Sequence, residues 1–129
     1  EFDMIVADLV ALPRSRPIVA EGAALLPELV SGVLTDRSRA VWIVPTEGFQ
    51  RANYTPENRS FVNDILAHCE DPSQAFANWM DRDVGFAKQV VQQARTLRLN
   101  VLMVDGGCTI EETARTVASG LGLARPTSR

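Results

Sequence analysis

The chain opens with apolar residues at positions 2, 5, 6, 9, 10 and 12, which is close to helical spacing, and Asp3 and Asp8 fall on the wet side. Pro13 stops this helix, and Pro13-Arg14-Ser15-Arg16-Pro17 reads as a turn-rich connector. A short apolar run, Ile18 to Ala20, then ends on Glu21-Gly22. A second helix is predicted from about Leu26 to Leu34, with Pro27 in its first turn, where the missing N–H costs little. Ala40-Val41-Trp42-Ile43-Val44 is continuously apolar and rich in β-branched residues, as in a strand covered on both faces. It ends at Pro45-Thr46-Glu47-Gly48. Phe49 to Arg59 mixes polar, basic and aromatic residues without a clear period. Ser60 to Cys69 reads as a helix. Asp71-Pro72 is a cap followed by a first helical residue, and the helix it starts runs to about Leu97, with a break expected near Asp81 to Gly85. Val101 to Val104 is the last predicted strand. Thr109 and Glu112 make a capping box for a final helix that Gly122 ends, and Ala124 to Arg129 reads as a frayed tail.

Three buried runs separated by helical patterns predict an α/β fold. The expected architecture is a parallel sheet of three strands with helices on both faces, in one domain spanning residues 1–129. The same grammar ends each run: Glu21-Gly22, Thr46-Glu47-Gly48 and Asp105-Gly106-Gly107. Polar and glycine residues at strand ends fit an open α/β sheet whose ligands bind outside its carboxyl edge.

Composition narrows the function classes. The 129 residues are 46% hydrophobic and 22% charged, ordinary for a packed domain. A formal charge of -3 gives no electrostatic reason to expect nucleic acid or an anionic membrane as partner. No apolar stretch approaches the roughly 20 residues of a spanning helix. Cys69 and Cys108 lack any CxxC partner, which suggests two reduced thiols in a cytoplasmic protein. The first residue is Glu1 rather than Met, so the expectation is a chain trimmed or drawn from a longer product.

Four side chains and one loop are candidates for chemistry. Glu21, at a strand tip, could act as a base, hold a metal-bound water or bind a substrate hydroxyl; alternatively it is an acid placed near a helix N-terminus. Arg51, Arg59 and Arg82 lie in or beside the irregular middle stretch. Guanidinium forks suit phosphate oxygens, and several converging on one point stabilise charge moved in phosphoryl transfer. The alternative is that they are surface arginines paired with Glu57, Asp81 or Asp83. Asp105-Gly106-Gly107 could bring a ligand close to the backbone, or could be only a tight turn. His68-Cys69 has no second half, so no metal site is expected.

Taken together, Ile18 to Pro27, Val41 to Thr46 with Phe49-Gln50-Arg51, Asn78 to Asp83, and Val101 to Gly107 resemble the carboxyl-terminal two-thirds of small P-loop kinases of the nucleoside and nucleotide kinase-like group. The resemblance implies a three-layer α/β/α fold, with residues 49–83 acting as a lid-like segment. It implies catalytic roles for Glu21, Arg51, Arg59 and Arg82, and a base-proximal loop at Asp105, Gly106 and Gly107. It also implies ATP and Mg²⁺ as cofactors and a small-molecule phosphate acceptor. The Gly-x-x-x-x-Gly-Lys-Ser/Thr loop that cradles phosphates in this group is absent, and the only lysine, Lys88, sits in a helical pattern. The expectation is that polypeptide preceding Glu1 carries that loop and that this chain alone is inactive. The competing reading is a non-catalytic α/β module whose open sheet favours a homo-oligomer.

Overall fold

The computed structural model describes residues 2–55 and 57–123. Its elements, in order, are α1 (Phe2–Ala11), α2 (Pro27–Ser31), a 3-10 turn (Arg37–Arg39), β1 (Val41–Pro45), α3 (Glu47–Asn53), α4 (Ser60–Leu66), α5 (Pro72–Thr96), β2 (Asn100–Val104) and α6 (Ile110–Gly120). Among the described residues the sheet has two strands, β1 and β2, paired in parallel with Trp42 opposite Val101 and Val44 opposite Met103. Parallel neighbours need a long crossover, and here α3, α4 and α5 form it.

The chain is mixed α/β, and among the described residues the sheet has two strands where three were expected. The run Ile18–Ala20 is unpaired. It is only three residues long, follows a proline without an N–H, and leaves Ile18 45% and Val19 79% exposed. Helices do not cover both faces either. Alternate strand residues face opposite ways: Val44 is buried, while Ile43 beside it is 52% exposed. α6 follows β2 yet buries none of its residues, and Ile110 at its start is 84% exposed. That terminal helix has the expected capping box, Thr109 with Glu112, and its Val117 and Ala118 are only half-buried.

α5 is the scaffold. Asp71 caps it by accepting from Gln74 N at 2.9 Å, Pro72 stands where no N–H is needed, and the helix runs 25 residues without the break expected near Asp81 to Gly85. The buried stripe Met80, Val84, Val90 and Ala94 overrides the single Gly85, whose helix penalty is about 1 kcal/mol. Around it sit Val62 and Leu66 of α4, Val44 of β1, Leu99 and the fully buried Pro27. α2 is shorter than the predicted Leu26 to Leu34 helix because Gly32 caps it. Trp42 Nε1 donates to Leu25 O at 2.9 Å, which ties the approach to α2 to β1.

The end of α5 sets up β2. Leu99 N donates to Ala94 O at 2.8 Å and Arg98 N to Arg95 O at 3.0 Å, a Schellman closure with Arg98 in the left-handed region at φ 55°. Arg37 NH1 donates to Leu97 O at 2.8 Å, satisfying another terminal carbonyl. The same closure ends α6, where a glycine, Gly122, takes the left-handed position at φ 66°. Among the described residues no helix is long and apolar enough to cross a membrane.

Two stability outcomes follow from this packing. Arg98→Gly should stabilise the chain by about 0.5–1 kcal/mol, because glycine takes the left-handed conformation without strain. Met80→Ala, which truncates a side chain only 2% exposed, should cost about 2–5 kcal/mol. Urea denaturation followed by circular dichroism measures both. A destabilised Arg98→Gly chain would mean that this side chain contributes more than its backbone strain costs.

Candidate functional site

Both strands run the same way, so their carboxyl ends meet at one edge, and a helix starts from each. Thr46 N donates to Val104 O at 2.8 Å, carrying the ladder one residue past β1. The Thr46 side chain then accepts from Phe49 N and starts α3. After β2, Asp105 Oδ1 accepts from Gly107 N at 2.9 Å, a side-chain turn that bends the chain toward Thr109. Gly106 lies between them at φ 90°. A Cβ at Gly106 would fall 2.8 Å from the Phe49 ring, so glycine is required here both for its backbone angle and for the close approach of Phe49.

A chain of charges ties α3 to α5. Lys88 Nζ meets Glu47 Oε2 at 2.8 Å, Glu47 Oε1 meets Arg51 Nε at 3.1 Å, and Arg51 NH2 meets Asp81 Oδ1 at 2.8 Å. Lys88 first, then Arg51, hold the Glu47 carboxyl below its usual range. The Arg51 guanidinium is pushed up, by Asp81 and then Glu47. The Glu47–Arg51 spacing of four residues is a favourable helix pair.

Next to this chain lies an aromatic cluster. Tyr54, Phe61 and Trp79 meet edge-on or tilted, with centroids 5.9 to 6.4 Å apart. Arg59 lies over the Tyr54 ring at 5.4 Å and Arg82 over Trp79 at 6.0 Å, both within cation–π range. Arg82 also donates through Nε and NH2 to Asp83 Oδ1 at 2.9 and 2.7 Å, and Trp79 Nε1 donates to Asp83 Oδ2 at 2.9 Å. Between α4 and α5 an open groove of about 340 Å³ is lined by residues including Ile65, Leu66, Cys69, Trp79 and Arg82.

The three arginines therefore belong to one neighbourhood. Arg51 contacts Asp81, the sequence neighbour of Arg82, and Arg82 and Arg59 flank one ring cluster. Among the described residues Arg59 has no carboxylate partner, while Arg51 and Arg82 are paired with acids. Glu21 stands apart, exposed on the unpaired stretch before α2, and among the described residues no hydrogen bond or ion pair joins it to the arginines. Asp105, Gly106 and Gly107 end β2 at the carboxyl edge beside Phe49. Among the described residues no group of three or more His, Cys, Asp or Glu is placed to hold a metal.

Lys88, Glu47 and Phe49 were not among the expected site residues. The spacing of Glu47 and Arg51 could have signalled the first pair; nothing local signals that Lys88, 41 residues from Glu47, completes it. Comparison with protein-family models, curated proteins and solved structures found no match.

The charge chain carries a pH signature. Because the folded chain lowers the Glu47 pKa, its contribution to stability is fully present above the ordinary glutamate value of about 4.3. It is lost as pH falls through the lower folded value. Glu47→Gln should therefore flatten the acid limb of the stability profile and leave the profile above pH 6 parallel to wild type (about two units clear of the carboxylate range). An unchanged acid limb in Glu47→Gln would show that these pairs do not persist in solution.

Proposed function

We propose that this α/β unit is the acceptor-side and lid portion of an ATP-dependent small-molecule phosphotransferase. The observation that carries this reading is the carboxyl edge of the parallel pair. A glycine loop leaves β2 there, and from the same edge departs the arginine-bearing segment of residues 49–83. Ligands of open α/β sheets bind at such an edge, and phosphoryl transfer is catalysed chiefly by positioning and by cations around the moving charge.

Within this reading the arginines have different standing. Arg59 is the readiest cation for a phosphate, because among the described residues it lies over the Tyr54 ring and is paired with no acid. Arg51 must leave Asp81, and Arg82 must leave Asp83, before either spends its charge on a ligand. Asp105 and the Gly106-Gly107 backbone line the nucleotide side, and Glu21 would reach the site only through movement of the exposed stretch that carries it. ATP and Mg²⁺ require a phosphate cradle that these 129 residues do not contain. Open sheet edges and the unpaired apolar run at Ile18–Ala20 support the view that further polypeptide completes the sheet.

A second reading, a binding or assembly module without catalysis, is favoured by the exposed surface. Among the described residues several apolar side chains stand well exposed, Met4 at 70%, Val19 at 79% and Ile110 at 84%. Exposed apolar surface of this kind is what an interface covers.

The two readings separate in one set of measurements. The 129-residue chain alone should show no measurable Mg-ATP affinity. The product of the longer reading frame, carrying a Gly-x-x-x-x-Gly-Lys-Ser/Thr loop, should transfer the γ-phosphoryl group to a small alcohol or phosphate. In that product Arg59→Ala should lower kcat by about 10²-fold or more, the scale for removing a cation that stabilises transferred charge. Tight Mg-ATP binding by the short chain, or a reading frame without such a loop, would end the phosphotransferase reading.

A further inference from the structure

α3 buries none of its residues fully, yet it is gripped from two sides. Toward α5 it is held by the Lys88–Glu47–Arg51–Asp81 chain. Asp81 and Lys88 are seven residues apart, about two turns along one face of α5, so α3 is tied near its start through Glu47 and in its last turn through Arg51. Toward β2 the Phe49 ring lies on the backbone of Gly106. The docked position has a cost: Gln50 Oε1 is buried with no hydrogen-bond partner among the described residues. An unpaired buried carbonyl costs more than an exposed ion pair typically returns. The ties that hold α3 are exposed ion pairs, each worth little in water, and a segment with few buried contacts opens more readily than the core.

We propose that α3 is a clasp that opens and closes over the carboxyl edge of the strand pair, with Phe49 as the plug and the Lys88–Glu47–Arg51–Asp81 chain as the latch. The helix is short and lies between two anchored ends, Thr46, whose N–H donates to Val104 O, and Tyr54, whose ring packs on Phe61 and Trp79, so the moving part is Glu47 to Asn53. When it opens, Phe49 uncovers Gly106, Gln50 regains water, and Arg51 is freed from Asp81. The clasp is a property of these contacts, whichever chemistry the edge serves.

Hydrogen–deuterium exchange of the 129-residue chain tests it. Raising NaCl from about 0.01 M to about 1 M shortens the screening length from about 30 Å to about 3 Å. Residues 47–53 and 105–108 should then exchange faster together, by about two- to tenfold for exposed pairs, while the α5 amides from Val84 to Ala94 stay unchanged. Glu47→Gln at low salt should reproduce the same joint change. Asp36→Asn, which removes a different exposed pair with Arg39, should not. The proposal is overturned if residues 47–53 accelerate while 105–108 do not, if neither segment responds, if the α5 amides accelerate equally, or if Asp36→Asn gives the same result.

Discussion

A two-stranded parallel sheet does not hold itself together in water, and here the pair depends on α5. Its buried stripe, Met80, Val84, Val90 and Ala94, provides the apolar surface against which β1 and β2 lie. Both ends of that helix are fixed by local chemistry. Asp71 and Pro72 start it, and the Schellman closure at Arg98 turns the chain directly into Asn100, the first residue of β2. The register of the strand pair, and with it the meeting of the two strand ends at one edge, follows from where this helix stops.

The edge is then populated by short-range rules. Thr46 and Thr109 are each the last residue before a helix, and each accepts the N–H that would otherwise be unpaired. What lets the start of α3 approach the loop after β2 is an absence of bulk. Gly106 has no Cβ, so Phe49 can pack on its backbone. Charge does the rest at longer reach. Glu47 is shared between an arginine one turn along its own helix and a lysine on α5, and the resulting chain is exposed, so it is weak and responsive to salt.

Much of this was legible in the sequence where the signal is local. The strands at Val41 and Val101, the proline-started α5 and the Thr109–Glu112 box all rest on residues within four positions of one another. The failures have physical causes too. Ile18–Ala20 has a strand's composition, but composition does not supply a neighbouring strand, and without one the run stays unpaired. Phe49 to Asn53 lacks a helical apolar period because α3 is pinned by charges and one ring rather than by a buried stripe. Gly85 reads as a break, yet flanking burial at Val84 carries the helix through. For the site, arginines near one another were visible as a cluster along the chain. Their partners Asp81 and Asp83 were foreseeable as neighbouring acids, whereas the isolation of Glu21 depends on that missing strand partner.

That isolation bears on how the two functional readings differ. A strand-tip acid can serve a site only if its strand is fixed in the sheet, and here Ile18 and Val19 are exposed while, among the described residues, no third strand pairs with β1 or β2. Apolar surface and unsatisfied strand edges of this kind need covering. If a further strand joined the run at Ile18 to the β1–β2 pair with all strands parallel, Glu21 would be brought to the same carboxyl edge as Asp105 and α3. If the surface were instead covered by another molecule, nothing would require the acid and the arginines to share a cleft. The position of Glu21 relative to Arg59 in the fully covered state is thus the geometric quantity on which catalysis and mere binding diverge.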